Sequence, residues 1–508
     1  MTRKYRKMKI LSANQIYQSD KATIINRPIS STDLMEYAAT KCVDWIVEHF
    51  PKKDHIIHIF CGTGNNGGDG LVIARKLIQD YYQVITYVIN FNEKRSEDFI
   101  LNFNRLLEIN HKVIDLNEDY SFPDIDTKDL IIDAIFGIGL TRTPNGFVKE
   151  IIQKINGVEA KIISIDCPSG LFVESAVTDR DSVIRANWIL TFQQPKLAFL
   201  LPDNEIFSEN FQVLDIGLDT DFIATLSTNY YTIDQDLAQN IYKARQKFSH
   251  KGSFGHSLVI GGSYGKIGAM VLASKAALKS GSGLVTAYIP KCGYEILQTS
   301  NPEVMVEVEE EDDLQYFNFK VNPTVIGIGM GLGMKSKTQQ GLEFFLKENK
   351  NKLVIDADAL NILSNNKEFL NYLPENSVLT PHPKEFERLV GRWENDFEKL
   401  EKLLHFSLKY KCIVILKGAY SAIAYQHKIY FNTSGNPALA TAGSGDVLTG
   451  IITGLIAQNY SPFEASILGV YLHGLSADVA IKNTCSQETF IASDIFNYLN
   501  QAFKQIRL

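Results

Sequence analysis

Two glycine-rich segments, each carrying a carboxylate, lie far apart on this 508-residue chain: Gly64-Asn65-Asn66-Gly67-Gly68-Asp69-Gly70 and Gly443-Ser444-Gly445-Asp446. Glycines lack a Cβ and let backbone N–H groups approach an anion closely, and a following helix adds its positive N-terminal end. An aspartate in such a place repels phosphate unless it moves a proton or holds a metal. Two loops of unlike design therefore predict two active sites. The first is neither G-x-G-x-x-G nor a P-loop, since no Gly-Lys-Ser/Thr follows it.

Further chemistry falls at the ends of apolar runs. Ile132-Asp133-Ala134-Ile135-Phe136-Gly137 leads into Gly137-Ile138-Gly139-Leu140-Thr141-Arg142, a flexible loop with a guanidinium suited to phosphate. Ile165-Asp166-Cys167-Pro168-Ser169-Gly170 supplies a carboxylate, a restrained turn and a hydroxyl. In the second half, Lys417-Gly418-Ala419-Tyr420-Ser421 ends a run just before the G-x-G-D turn, in reach of a nucleotide. Asp356-Ala357-Asp358, Thr380-Pro381-His382-Pro383 and Gly327-Ile328-Gly329-Met330-Gly331 end three others. Taken singly, Asp358 reads equally as a helix cap, His382 as a turn residue and Lys417 as a surface lysine. Their joint placement at successive strand ends favours binding sites.

The elements that must position these residues are those of an α/β protein. Residues 55–60, 84–89, 130–136, 162–166 and 188–192 read as strands. A helix is expected over 71–78, and one or two helices over 12–50. Continuous apolar strands alternating with helices predict a parallel sheet covered on both faces. Residues 218–236 are polar and weakly periodic, and the linker is placed there, giving domains 1–225 and 226–508. Beyond it the alternation restarts: strands over 257–261, 285–289, 325–329, 353–356, 378–380 and 413–416, a helix over 268–280, a hairpin over 422–431, and helix from Asp446 onward. The acidic run 307–313 reads as a solvated strand end. No internal repeat is apparent, so the halves are expected to be different folds.

Length alone predicts more than one core. The 45% apolar and 21% charged composition is that of a soluble globular protein, and a net charge of −7 gives no reason to expect nucleic acid or an anionic membrane as partner. Arg3, Lys4, Arg6, Lys7 and Lys9 read as a solvated basic tail, with Met1 and Met8 both open as the natural start. Cys42, Cys61, Cys167, Cys292, Cys412 and Cys485 show no CxxC pair or zinc-ligand spacing and read as reduced, mostly buried thiols of a cytoplasmic protein. A homo-oligomer stays open.

With these motifs in place, residues 12–218 resemble the NAD(P)H-hydrate epimerase family, including the Gln15, Asp20 and Leu34-Met35-Glu36 pattern. The resemblance implies a Rossmann-like three-layer sandwich that interconverts the R and S forms of the hydrated nicotinamide cofactor. It implies a substrate site lined by Asn65, Asn66, Gly67, Gly68, Asp69, Gly137, Ile138, Gly139, Leu140, Thr141, Arg142 and Thr143. Asp166 would contact the ligand and act as acid and base, and Asn66, Asp133 and Ser169 would coordinate K+. Ala38-Ala39 stands where Ala-Gly is expected.

Residues 231–508 are similar to the ADP/ATP-dependent NAD(P)H-hydrate dehydratase family, which implies a ribokinase-like α/β fold. By that resemblance Ala269, Gly331, His382 and Asp446 touch the hydrated cofactor. Lys417, Gly418, Ala419, Tyr420, Ser421 and Gly445 hold the adenine nucleotide, ADP or ATP, with Mg2+, and Asp446 is the candidate base. Met330 stands where the family often has proline. Two other readings remain: a ribokinase-like kinase of a vitamin or sugar alcohol, and a non-catalytic N-terminal binding module. The Lys417-Gly418 and His382 motifs weigh against the former, and Asp133, Asp166 and Ser169 against the latter.

Overall fold

The β-branched runs form strands because parallel sheets buried on both faces favour apolar side chains at nearly every position. The computed structural model describes residues 8–119, 121–208 and 210–507. Arg3, Lys4, Arg6 and Lys7 of the expected basic tail lie outside them. The chain divides into two compact units, one from Lys9 to Thr228 and one from Asn229 onward that also takes in Met8.

In the first unit, β1 (Ile56–Cys61), β2 (Gln83–Ile89), β3 (Val113–Leu116), β4 (Leu130–Ala134), β5 (Lys161–Ile165), β6 (Trp188–Phe192) and β7 (Phe211–Leu214) form one sheet in the order β3-β2-β1-β4-β5-β6-β7. Every neighbouring pair is parallel. Ile57, Ile59 and Cys61 of β1 join a core with Leu71 and Leu77, while Phe60 joins another with Ile131 and Ile152. The period-2 alternation thus feeds two layers, one on each face. The order reverses between β1 and β4, and ligands bind such sheets beyond the strand C-termini at that reversal.

The second unit contains β8 (Tyr230–Ile233), β9 (His256–Ile260), β10 (Leu284–Pro290), β11 (Met305–Glu309), β12 (Val325–Ile328), β13 (Lys352–Ile355), β14 (Val378–Leu379), β15 (Ile413–Leu416), β16 (Ala422–Tyr425) and β17 (Lys428–Asn432). They run in the order β11-β10-β9-β12-β13-β14-β15-β16-β17-β8. The sheet is parallel up to β15; the β15–β16 and β16–β17 pairs are antiparallel, and β8 pairs parallel to β17. Here the order reverses between β9 and β12. The helix Ser444–Ala457 crosses Ile267–Lys279 so closely that a Cβ on Gly450 would lie 2.2 Å from the Ala273 carbonyl oxygen.

Several expectations are corrected. The first helix after β1 begins at Asn65, not 71, so the glycine-rich segment is its opening turns. Residues 218–236, the expected linker, hold the helix Thr220–Thr225, β8 and the start of the helix Gln235–Ile241. Their periodicity is weak because β8 has four residues and the short helix buries none. Lys9 is no free tail residue either. Its ammonium donates to the carbonyls of Ile223, Ala224 and Leu226 at 2.9, 2.7 and 2.5 Å, capping that short helix.

Candidate active sites

At the first site the helix Asn65–Gln79 starts after Gly64, and a Cβ on Gly67 would fall 1.9 Å from the Gly62 carbonyl oxygen. Only glycine permits this approach. Asn66 and Asp69 are buried while Asn65 is exposed. Asn66 Nδ2 has no hydrogen-bond partner although the residue is only 8% exposed. Gly137, at φ +61°, lies against it, such that a Cβ there would meet Asn66 Cγ at 3.0 Å.

Asp133 ends β4 with no exposed surface. Its Oδ1 accepts from the Ser169 hydroxyl at 2.6 Å and the Ile135 N–H at 3.2 Å. Its Oδ2 accepts from the Ser164 hydroxyl at 2.7 Å and the Ser169 N–H at 2.9 Å. Burial pushes its pKa up, and these bonds pull it back. Asn66, Asp133 and Ser169 offer the hard amide, carboxylate and hydroxyl oxygens that suit an alkali cation, and a fully buried carboxylate without an ion-pair partner would gain from one.

Asp166 follows β5 in the left-handed region at φ +64°, its N–H donating to the Leu190 carbonyl at 2.7 Å. Its Oδ1 pairs with Lys196 Nζ at 2.7 Å, and Lys196 is 1% exposed. The same ammonium donates to the carbonyls of Phe192 (3.1 Å) and Gln194 (3.4 Å). Asp69 is driven well up by burial, then by the charges of Asp166, Asp20 and Asp98. The structure therefore gathers Asn66, Gly137, Asp133, Ser169, Asp69 and Asp166 at the switch point. Gly139, Thr141 and Arg142 are exposed, whereas Ile138, Leu140 and Thr143 are half-buried. Sequence reasoning left Lys196 and Asp20 without roles. Lys196 was within reach, since Gln193-Gln194-Pro195-Lys196 is the segment after β6, the next strand in the same row.

At the second site Gly331, at φ +61°, would place a Cβ 2.7 Å from the Lys266 carbonyl oxygen and 3.5 Å from Ala269 Cβ, so Ala269 and Gly331 adjoin. Met330 is fully buried and its carbonyl accepts the Gly262 N–H at 2.8 Å, tying the two switch-point loops together. Asp358 does not cap the helix Ala357–Asn365. It reaches back to accept from the Gly333 N–H at 2.9 Å and pairs with Lys266 at 3.2 Å.

Lys417 Nζ lies 2.9 Å from Asp356 Oδ1, and Asp356 Oδ2 accepts from the Thr449 hydroxyl at 2.8 Å. A Cβ on Gly445 would lie 3.3 Å from Lys417 Nζ and 3.6 Å from Asp356 Oδ2. An ammonium thus sits over the N-terminal turn of Ser444–Ala457, two positive features converging on one point, an arrangement able to stabilise a phosphoryl group. Burial opposes the Lys417 charge, but Asp356 and Glu385 outweigh it and its pKa rises. Asp446 is pushed up to about 7, by burial first and then by Asp356, against the pull of Lys417.

His382 caps the helix Pro383–Val390, its Nδ1 accepting from the N–H groups of Lys384 and Glu385 at 3.1 and 3.3 Å. Burial, then the Lys417 charge, lower its pKa. Gly418 and Ala419 are exposed, Tyr420 is half-buried, and Ser421 Oγ closes the turn onto Gly418. Sequence reasoning assigned no role to Asp356, Thr449 or His473. The last is buried behind the G-x-G-D turn with Nε2 3.0 Å from the Ser444 carbonyl oxygen, and burial drops its pKa to about 4.

The described residues contain no group of three or more His, Cys, Asp or Glu able to hold a metal ion, and no helix long and apolar enough to cross a membrane. All six cysteines are free, and Cys42, Cys61, Cys167 and Cys412 are buried.

A Rossmann-like sheet with carboxylates at its switch point, followed by a second, mostly parallel sheet with a G-x-G-D helix start, defines a two-domain α/β protein. Residues 257–501 match the family described as NAD(P)H-hydrate dehydratase, and residues 31–198 the one described as YjeF-related protein N-terminus. The bifunctional NAD(P)H-hydrate repair enzyme Nnr of Moorella thermoacetica is 34% identical, covering 98% of this chain and 97% of that protein. Its counterpart from Dictyoglomus turgidum is 32% identical over 98% and 99%. The ADP/ATP-dependent NAD(P)H-hydrate dehydratase from Bacillus subtilis, co-crystallised with ATP/Mg2+, is 27% identical with a TM-score of 0.48, covering 54% of this chain and 98% of that one. The chain belongs to the bifunctional NAD(P)H-hydrate repair enzyme family.

Proposed function

We propose that this chain repairs hydrated NADH and NADPH: the first domain interconverts the R and S hydrates, and the second uses ADP or ATP to turn the S hydrate back into the reduced cofactor. The observation that carries this reading is the end-to-end match to relatives named for NAD(P)H-hydrate repair, with 98% of this chain aligned. Chemistry at each site supports it.

In the first domain the ring nitrogen can expel the adjacent carbon's hydroxyl as water once an acid protonates it. The planar cation that results accepts water from either face. Asp166, ion-paired to Lys196 at 2.7 Å, is the group assigned to take and give that proton. Asn66, Asp133 and Ser169 would hold a potassium ion, which would supply a fixed positive charge beside the buried Asp133.

In the second domain hydroxide is a poor leaving group until it is phosphorylated. Asp446 takes the hydroxyl proton while Lys417 and the backbone at Gly445 hold the nucleotide phosphates. The resulting phosphate ester leaves with help from the ring nitrogen, and loss of a proton from the neighbouring carbon restores the dihydronicotinamide. Ala269, Gly331 and His382 line the side assigned to the ring, and Gly418, Ala419, Tyr420 and Ser421 the nucleotide side. Mg2+ would neutralise the phosphate charge. A cytoplasmic location belongs to the same reading.

The test is product analysis of a mixture of R- and S-hydrated NADH incubated with ATP or ADP. Recovery of reduced-nicotinamide absorbance from both forms is expected. A phosphorylated alcohol formed from a vitamin or sugar, with no NADH regenerated from the hydrate, would replace the reading with that of a small-molecule kinase.

A further inference from the structure

Asp133 and Asp166 are both buried carboxylates of the first site, and they are bonded in opposite ways. Asp133 is satisfied on both oxygens: Oδ1 accepts from Ser169 and Ile135, Oδ2 from Ser164 and Ser169. Asp166 is held by one oxygen alone. Its Oδ1 pairs with Lys196 Nζ at 2.7 Å and accepts from the Thr191 hydroxyl and the Phe192 N–H, each at 3.4 Å. Oδ2 accepts from no group among the described residues, yet it is not sealed in the way that the unpartnered Asn66 Nδ2 is. The Asp166 side chain is 11% exposed and that of Lys196 1%, so a ligand meets the carboxylate and not the ammonium.

The ammonium is anchored without help from Asp166. It donates to the carbonyls of Phe192 and Gln194 at 3.1 and 3.4 Å. The segment that carries it is tied to the end of β7: the Gln193 N–H donates to the Leu214 carbonyl at 2.8 Å, and Gln193 Oε1 accepts from the N–H groups of Ile216 and Leu218 at 3.2 and 3.3 Å. Gln193 at φ +63° and Asp166 at φ +64° both hold left-handed backbone. That conformation costs free energy at a non-glycine residue and persists only where the surroundings impose it. Both strand ends thus depart from ordinary backbone where the cation meets the carboxylate.

A carboxylate free to rotate presents its oxygens in a spread of directions, and misplacement by about 1 Å costs a catalytic step about 10²-fold. Gripped at one oxygen, it presents the other in one direction. A pair kept for stability alone would gain from donors on both oxygens, as Asp133 has, because a buried ion pair offsets its desolvation through such added bonds. We propose that Lys196 is a positioning residue of the epimerisation, holding Asp166 by Oδ1 so that Oδ2 is the oxygen that exchanges a proton with the hydrated ring; this rests on the epimerase reading above.

The step balances on that one oxygen. Protonated Oδ2 gives its proton to the ring hydroxyl; the carbon–oxygen bond breaks as the nitrogen lone pair forms a carbon–nitrogen double bond, and water departs. Water then adds to the opposite face of the planar cation, and its proton returns to Oδ2 as the electron pair goes back to nitrogen. One water leaves, one enters, and Lys196 keeps its charge throughout.

The experiment uses the full chain without nucleotide and follows conversion of R- to S-hydrated NADH by chiral chromatography, which yields kcat and KM. Lys196→Met, similar in length and neutral, should lower kcat about 10²-fold with KM unchanged and native circular dichroism. Lys196→Arg, which keeps a cation and donors for the two carbonyls, should regain much of the rate. Should the methionine variant fail to fold, Lys196→Gln, neutral but still a donor to those carbonyls, is held to the same outcome. A wild-type kcat in the neutral variant overturns the proposal, as do a loss confined to KM and an arginine variant as slow as the neutral one. No conversion by wild type above the spontaneous rate would instead sink the epimerase reading, and wild-type conversion by Asp166→Ala the assignment of Asp166; neither resembles the first three results.

Discussion

Lys417 and Asp356 form an ion pair of 2.9 Å directly over Gly445, at the start of the helix that carries Asp446. The pair explains how an ammonium can sit beside a positive helix end. Asp356 holds it there and is itself held by Thr449 at 2.8 Å. The same carboxylate is a like charge for Asp446.

That relationship sets a pH dependence. Asp446 must be ionised to take a proton, and it stands at about 7 because of burial and Asp356. Dehydratase kcat/KM should therefore rise with pH through about 7. Asp356→Asn removes the like charge and frees Lys417 to act on Asp446, so the inflexion should move to lower pH. A rate–pH profile of both proteins checks this, and an unmoved or raised inflexion counts against it.

Asp446→Ala should abolish nucleotide-dependent dehydration, by about 10² or more in rate, while R–S interconversion continues. Chiral analysis of the remaining hydrate, run beside the absorbance assay, separates the two activities. Near-normal dehydration would remove Asp446 from the mechanism.

Asp133→Ala and Asp166→Ala should show the reverse pattern: the S half of a mixed substrate consumed quickly, the R half at the spontaneous rate. Asp133→Ala also strips partners from Ser164 and Ser169, so its melting temperature should fall. Asp166→Ala leaves Lys196 buried and unpaired, with a cost of about 3–5 kcal/mol. Wild-type disappearance of the R form in either variant would mean that the first site is drawn wrongly.

A fragment starting at Asn229 should fold and dehydrate the S form. One starting after Ile233 should be less stable, because it lacks β8 and leaves the β17 edge bare. Circular dichroism melts and the absorbance assay on both fragments compare them. Equal stability would show that β8 is dispensable.

The central strands were legible because β1, β4, β5 and β12 are rich in Ile, Val and Leu and buried along nearly their whole length. The edge strands were not: β3 and β7 have four residues each with mostly half-covered side chains, so their sequences carry no clear period. The glycine-rich turns and Asp133, Asp166 and Asp446 could be singled out as candidates from type and position. Lys196 and Asp356 could not, because each gains its meaning from a partner distant in the chain. A lysine after a proline looks like surface until Asp166 is placed 2.7 Å away.

The position of β8 has a consequence for how the protein is made. It is the first strand of its domain to leave the ribosome, yet it pairs with β17, and the Thr433 hydroxyl that closes onto the Ile233 carbonyl lies 200 residues downstream. At a synthesis rate of about 5–20 residues per second the nascent Tyr-Tyr-Thr-Ile segment waits about 10–40 s for its partner. During that interval it is an unpaired, apolar strand edge, the kind of segment that chaperones bind and that aggregates when they are scarce.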